Sequence, residues 1–178
     1  MRKYVVITCL IIFMACIFTA TAGVNNMFVQ RRGEAGWLYH IFPQKMPSLD
    51  KKTKNINYDF TFTQQSDSVT IIATVIAHNP LKPKSLQIES CGKQKEYHIE
   101  TLYLIPKGSK YEYRILAKMP FKEWSDMYEC PTPYILRYSF GEDSHIEEYS
   151  FSYNTSQWKS KRKNLLIIIG TIKLNTGK

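Results

Sequence analysis

The stretch that most constrains the fold is residues 57–78, NYDFTFTQQSDSVTIIATVIAH, which has the pattern of a β-hairpin. Aromatic residues alternate with polar ones over residues 58–62, and β-branched residues alternate again after Ser68. The residues between them, 64–67, are polar, as a turn requires. Alternation with a period of two puts successive side chains on opposite faces of a strand. The sequence therefore predicts two antiparallel strands joined by a polar turn.

The second strand of this hairpin is apolar on both faces over residues 71–77. Such a strand is typical of the middle of a sheet that is covered on both sides. We therefore place it at the centre of the domain, and we expect Ile72 and Ile76 to be as buried as Ile71 and Val75.

Later segments repeat the strand pattern, with turn residues between them, at 85–90, 95–105, 110–119, 134–140, 145–153 and, as a last apolar strand, 165–174. Short strands spaced by turns are typical of all-β domains. We predict an immunoglobulin-like antiparallel β-sandwich, and the alternative is a meander β-barrel. A single short helical pattern interrupts the strands after Pro120, where Phe121, Trp124, Met127 and Tyr128 recur at helical spacing.

The N-terminus has the three parts of a secretory signal peptide over residues 1–22. Arg2 and Lys3 are basic, an apolar run follows, and Ala20-Thr21-Ala22 is a cleavage signature. The chain is therefore predicted to be exported, to the periplasm, the cell surface or the medium. The alternatives are an uncleaved anchor and a lipid attached to Cys16.

The rest of the chain divides into an irregular N-terminal lead, residues 23–54, and a single β-sandwich domain, residues 55–178. Two cysteines remain beyond the signal, Cys91 and Cys130. In an exported chain two cysteines most often form one disulfide, and we predict that these two do. The alternative is two separate buried thiols.

The net charge of +9 is concentrated at the two ends of the chain. Arg2 and Lys3 lie in the signal, and six more cations lie beyond Trp158. The body is therefore nearly neutral, which excludes a basic face for nucleic acid. The basic tail is either a peripheral contact with an anionic membrane or a solvated connection to the last strand.

Residue patterns that carry chemistry are missing from the sequence. Glu96, His98 and Glu100 share a strand face and could hold a metal, as could His145 with Glu147, but we interpret both sets as part of a solvated outer face. Asp143-Ser144-His145 holds the residue types of a catalytic triad, although neighbours on a turn cannot adopt its geometry. We predict that the protein is not an enzyme and needs no metal or cofactor.

Aromatic residues are the unusual part of the composition, with twelve Tyr, nine Phe and three Trp. Trp124 and Trp158 sit in breaks between strands beside polar neighbours, so we expect them to be exposed. With Tyr128 they are the candidate binding residues, although core packing is the alternative. The sequence thus favours a non-catalytic interaction module at the envelope or surface with a protein or glycan partner. The alternative function is a carbohydrate-binding module that uses exposed aromatics.

Overall fold

In the part of the chain that the structure describes, the alternating segments form a nine-stranded antiparallel sheet, which two helices accompany. A computed structural model describes residues 26–50, 55–77, 82–141 and 145–178. The elements are β1 (Phe28–Gly33), β2 (Gly36–Met46), β3 (Ile56–Thr63), β4 (Ser68–Ala77), β5 (Pro83–Ser90), β6 (Lys93–Lys107), β7 (Lys110–Pro120), α1 (Phe121–Glu129), β8 (Ile135–Phe140), β9 (His145–Ser150) and α2 (Thr155–Thr176). The predicted signal peptide, with the possible lipid site at Cys16, lies outside the described residues, as do Asp143 and Ser144.

The strands follow the order β1-β2-β3-β4-β7-β6-β5-β8-β9, and every neighbouring pair is antiparallel. β6 is the longest strand and pairs with two neighbouring strands. Its first part, residues 93–98, pairs with β5, and its second part, residues 99–107, pairs with β7. β6 therefore joins two halves of the sheet.

A short pairing links the β9 edge to the chain that follows β2. Ser48 forms an isolated antiparallel bridge with Tyr149. The Leu49 amide donates to the Glu148 carbonyl at 2.9 Å, and the Ser150 amide donates to the Pro47 carbonyl at 3.0 Å. These bonds satisfy backbone groups on the β9 edge that would otherwise need another partner.

The core lies between the two halves of the sheet. The Tyr113 ring on β7 meets the Phe140 ring on β8 at 5.7 Å between centroids, although two strands separate β7 from β8 in the sheet. The all-β antiparallel prediction is confirmed. The immunoglobulin-like arrangement is not, because all nine strands belong to one continuous sheet.

The prediction for the outer face of β4 is wrong. Every second residue of the strand is buried, including Ile71 and Val75, but Ile72 and Ile76 are only half-buried. Ile72 lies opposite Asp59 on β3, and Ile76 lies opposite Glu112 on β7. The outer face of this part of the sheet is thus a mixed surface, although β4 does lie between β3 and β7 as a central strand.

The N-terminal lead predicted to be irregular forms the β1–β2 hairpin instead. β2 pairs with β3 and buries Tyr39, Ile41 and Met46 in the core. The segment around Trp37 is therefore part of the sheet.

The prediction of a last strand over residues 165–174 is also wrong. This apolar segment belongs to the 22-residue helix α2. The Asn154 side chain begins this helix by accepting a hydrogen bond from the Gln157 amide at 3.1 Å. The buried residues of α2 recur every three or four positions beyond its first turns, namely Leu165, Ile168, Ile169 and Ile172. A short run of isoleucine and leucine is compatible with the period of a strand and with that of a helix, and here packing against the core selects the helix.

Arg162 on α2 holds the C-terminal end of α1. Its Nε atom donates to the carbonyls of Tyr128 at 2.8 Å and Cys130 at 2.9 Å, and Nη2 donates to the Glu129 carbonyl at 2.8 Å. The last carbonyls of a helix have no partner within the helix and carry partial negative charge. A guanidinium at this position satisfies them and fixes one helix against the other.

Replacement of Arg162 by methionine should lower the free energy of unfolding by about 2–3 kcal/mol, because charge-assisted hydrogen bonds to the end of α1 are lost. The measurement is urea unfolding followed by circular dichroism. Lys163→Met is the matched control: its side chain is exposed, and a change within about 0.5 kcal/mol is expected. Equal losses in the two variants would contradict the capping role.

Candidate interaction surfaces

The three aromatic residues predicted to bind a partner lie in the core. Trp124 and Tyr128 are completely buried and Trp158 is 2% exposed. The expectation that the two tryptophans are exposed is therefore wrong. α1 turns Trp124 and Tyr128 inward, where they meet each other edge to face at 5.6 Å. Trp158 stacks on Tyr128 at 5.9 Å, and its indole nitrogen donates to the Pro131 carbonyl at 2.9 Å.

Buried phenols form a chain of hydrogen bonds beside these tryptophans. The hydroxyls of Tyr128 and Tyr134 lie 3.0 Å apart, and the Tyr134 hydroxyl donates to that of Tyr58 at 3.1 Å. Burial raises the pKa of all three phenols, and the proximity of a neighbouring phenol adds to the rise for each of them. Because their raised pKa keeps the three phenols protonated, they form an uncharged hydrogen-bonded network. Such a network favours one packing of the core.

The predicted disulfide is present between Cys91 and Cys130. Cys91 and Gly92 form the two-residue turn between β5 and β6, and both have positive φ angles, of 49° and 72°. Cys130 directly follows α1. The bond therefore ties the tip of the β5–β6 hairpin to the end of the helix.

The acidic and histidine residues singled out in the sequence do not form a metal site. Glu96, His98 and Glu100 are exposed along β6. Among the residues that the structure describes, no group of three His, Cys, Asp or Glu side chains could hold a metal ion.

Glu147, the carboxyl that the sequence places near His145, is buried. It is 7% exposed, it accepts a hydrogen bond from the Tyr149 hydroxyl at 2.5 Å, and it lies 3.7 Å from His145 Nε2. Burial raises the pKa of Glu147 despite the opposing effects of Tyr149 and His145, and the Asp50 carboxylate adds to the rise. Burial and the neighbouring Glu147 also raise the pKa of Tyr149. Glu147 and Tyr149 thus form a buried hydrogen-bonded pair of ionisable groups on β9.

An exposed apolar stretch that sequence reasoning missed lies on β6. Four consecutive residues of β6, Leu102, Tyr103, Leu104 and Ile105, are each 41–50% exposed. They belong to the distal part of the β6–β7 hairpin, residues 100–112, which we call the β6–β7 arm. A contiguous exposed apolar stretch of this kind marks an interaction site more often than scattered apolar residues do.

A bulge at Leu102 decides which apolar side chains lie on each face of the arm. The pairing passes from Thr101 opposite Ile115 to Tyr103 opposite Arg114, so Leu102 is an extra residue without a partner. Beyond the bulge Leu104 lies opposite Tyr113, on the face that continues into the core. The sequence does indicate apolar side chains on both faces here, since residues 102–105 are all apolar and do not alternate with polar residues.

The outer edge of the arm is open in the part of the chain that the structure describes. β5 pairs with β6 only as far as His98, and residues 99–107 pair with β7 alone. Exposed strand edges are usually guarded by charges or proline. Here Pro106 and Lys107 guard only the tip and Glu100 the base, which leaves residues 101–105 as an unguarded apolar edge.

The basic tail is largely occupied by contacts within the molecule. Lys161 donates to the Gln44 side chain, Lys173 pairs with Glu129 at 3.2 Å, and Lys178 pairs with Asp67. Burial lowers the pKa of Lys161. With Arg162 bound to α1, Lys159 and Lys163 are the tail cations that remain exposed without a described partner. Across the described residues, no helix is both long and apolar enough to span a bilayer.

Comparison with protein-family models, with curated proteins and with solved structures finds no match for this chain.

The burial of the two tryptophans can be tested by fluorescence. Trp37 is partly exposed on β2, so the Trp37→Phe variant leaves only Trp124 and Trp158 as emitters. We expect its emission to be blue-shifted and poorly quenched by acrylamide, and both properties to be lost in urea. Strong quenching of the folded variant would contradict the buried positions.

The raised pKa of Glu147 makes a prediction about pH. A carboxyl whose folded-state pKa is raised contributes stability that is fully present below its unfolded-state pKa and is lost as the pH rises through the folded-state pKa. The stability of the native protein relative to the Glu147→Gln variant should therefore fall as the pH rises from below to above the ordinary value of 4.5. Urea unfolding of both proteins across this range measures it, and a constant difference would show that the pKa is not raised.

Proposed function

We propose that this protein is an exported, non-catalytic binding module that acts at the envelope or cell surface, and that it holds a protein partner along the β6–β7 arm. The observation that carries the proposal is the unguarded apolar edge at residues 101–105. The disulfide between Cys91 and Cys130 supports export, because such bonds persist in oxidising compartments.

The arm suits a partner that adds an extended segment to the sheet. Backbone groups on the outer edge of β6 can bond to such a segment, and the side chains of Tyr103 and Leu104 can contact its residues on the two faces. Glu100 at the base of the arm is exposed and has no described partner. The segment we propose is therefore apolar at alternate positions and carries a lysine or arginine that reaches Glu100.

The carbohydrate-binding alternative has less support. It depended on exposed tryptophans, and both Trp124 and Trp158 are buried. A sugar would have to open the aromatic core to stack on either ring.

Selection from a library of displayed peptides tests the proposal with the full chain as bait. We expect the enriched peptides to alternate apolar residues and to carry a basic residue. Their affinity should fall at least tenfold for the Leu104→Lys variant, because a charge then lies on the apolar face of the arm. Leu174→Lys is the matched control: Leu174 is 86% exposed near the end of α2, where Lys178 pairs with Asp67 at the opposite end of β4 from the arm, and the affinity should not change.

N-methylation of the selected peptide separates strand addition from side-chain binding alone. In an added strand, amides at alternate positions bond to the sheet edge. Methylation at one set of alternate positions should abolish binding, and methylation at the other set should not. Equal sensitivity at all positions, or peptides that bind Leu104→Lys as well as the native protein, would refute binding at the arm edge.

A further inference from the structure

A cleft lies between α1 and the β5–β6 hairpin, about 260 Å³ in volume. Its apolar lining includes Ile88, Met119 and Met127, and its polar lining includes Lys93, Lys95 and Glu123. Small-molecule sites are typically apolar hollows with a few convergent polar groups. This cleft has that composition, and its volume is just below the usual range for drug-sized ligands, so it suits a smaller molecule.

The walls of the cleft are held in place at two points, by the disulfide and by Glu123. The disulfide joins the tip of the hairpin to the end of α1. Lys95 on β6 pairs with Glu123 on α1, and the Tyr97 hydroxyl donates to the other Glu123 oxygen at 2.7 Å. A cavity between elements that are already fixed loses little conformational entropy when a ligand enters. The two methionines can adjust their side chains to an apolar group of irregular shape.

The charge that remains available in the cleft is positive. Glu123 is engaged by Lys95 and Tyr97, and Asp126 is engaged by Lys122 at 2.8 Å. Partial burial alone would raise the pKa of Glu123, but the hydrogen bonds from Lys95 and Tyr97 outweigh it and lower the pKa, so this carboxylate stays ionised and paired. Lys93 is exposed at the cleft, and no ion pair or hydrogen bond of its side chain occurs within the described residues.

We propose that this hairpin–helix cleft binds a small amphiphilic anion, with its apolar part on Ile88, Met119 and Met127 and its anionic group at Lys93. Lys93 supplies a charge-assisted hydrogen bond to the head group at the open side of the cleft. The proposal is separate from binding at the β6–β7 arm, since the two surfaces lie on different parts of β6.

Calorimetric titration with octanoate and with octanol tests both parts of the site. Octanoate should bind the native protein saturably and more tightly than octanol. Lys93→Glu should weaken octanoate binding at least tenfold, as expected for the loss of one charge-assisted contact, and leave octanol binding unchanged. Lys84→Glu makes the same change of charge on exposed β5 surface outside the cleft, and it should have little effect.

A variant that fills the cleft checks the apolar part. Ser90 lines the cleft and is only partly buried, so Ser90→Trp should fit without disturbing the core and should abolish binding of both compounds. Leu104→Lys in the arm should leave octanoate binding intact. No saturable binding of octanoate, or binding that Ser90→Trp leaves unchanged, would overturn the site. Loss of affinity in Ser90→Trp but not in Lys93→Glu would overturn its specificity for an anion.

Discussion

The contact between Arg162 and the end of α1 is the interaction on which the arrangement of the core depends. Three carbonyls at a helix end need partners, and a buried carbonyl without one costs free energy. Arg162 supplies all three hydrogen bonds from a single side chain. The same turns of α2 carry Trp158, whose indole bonds to Pro131 next to the disulfide. The two helices are therefore locked together by directional bonds as well as by apolar packing.

The contacts between the two helices determine the positions of the aromatic side chains. With α2 held against α1, Trp124, Tyr128 and Trp158 face one another and the inner surface of the sheet. Aromatic pairs at these separations add to the free energy gained by burial. The aromatic composition of the protein is thus explained by its core, and both surfaces that we propose for binding include residues of strand β6.

β6 links the two proposed surfaces because it passes from one half of the sheet to the other. Its first part lies beside α1 and contributes Lys93 and Lys95 to the hairpin–helix cleft. Its second part leaves the core beyond Ile99 and becomes the β6–β7 arm, exposed on both faces. The length of this strand therefore explains both why the domain has a cleft at one place and why it has an open apolar edge at another.

The sequence by itself determined strands β3 to β9, their hairpin turns and the pairing of Cys91 with Cys130, because these depend on local alternation, on turn residues and on the number of cysteines. Only the tertiary structure decided which apolar residues are buried. Ile72 and Leu104 are as apolar as Ile71, but the burial of a side chain depends on what packs over it from distant parts of the chain. The same reason applies to Leu165–Leu174, where a run of aliphatic residues is compatible with a strand or a helix. The contacts of Arg162 and the packing against the core favour the helix. The bulge at Leu102 likewise decided which face of the arm Leu104 occupies, because the position of this extra residue is set by the pairing of two strands and not by the pattern of either one.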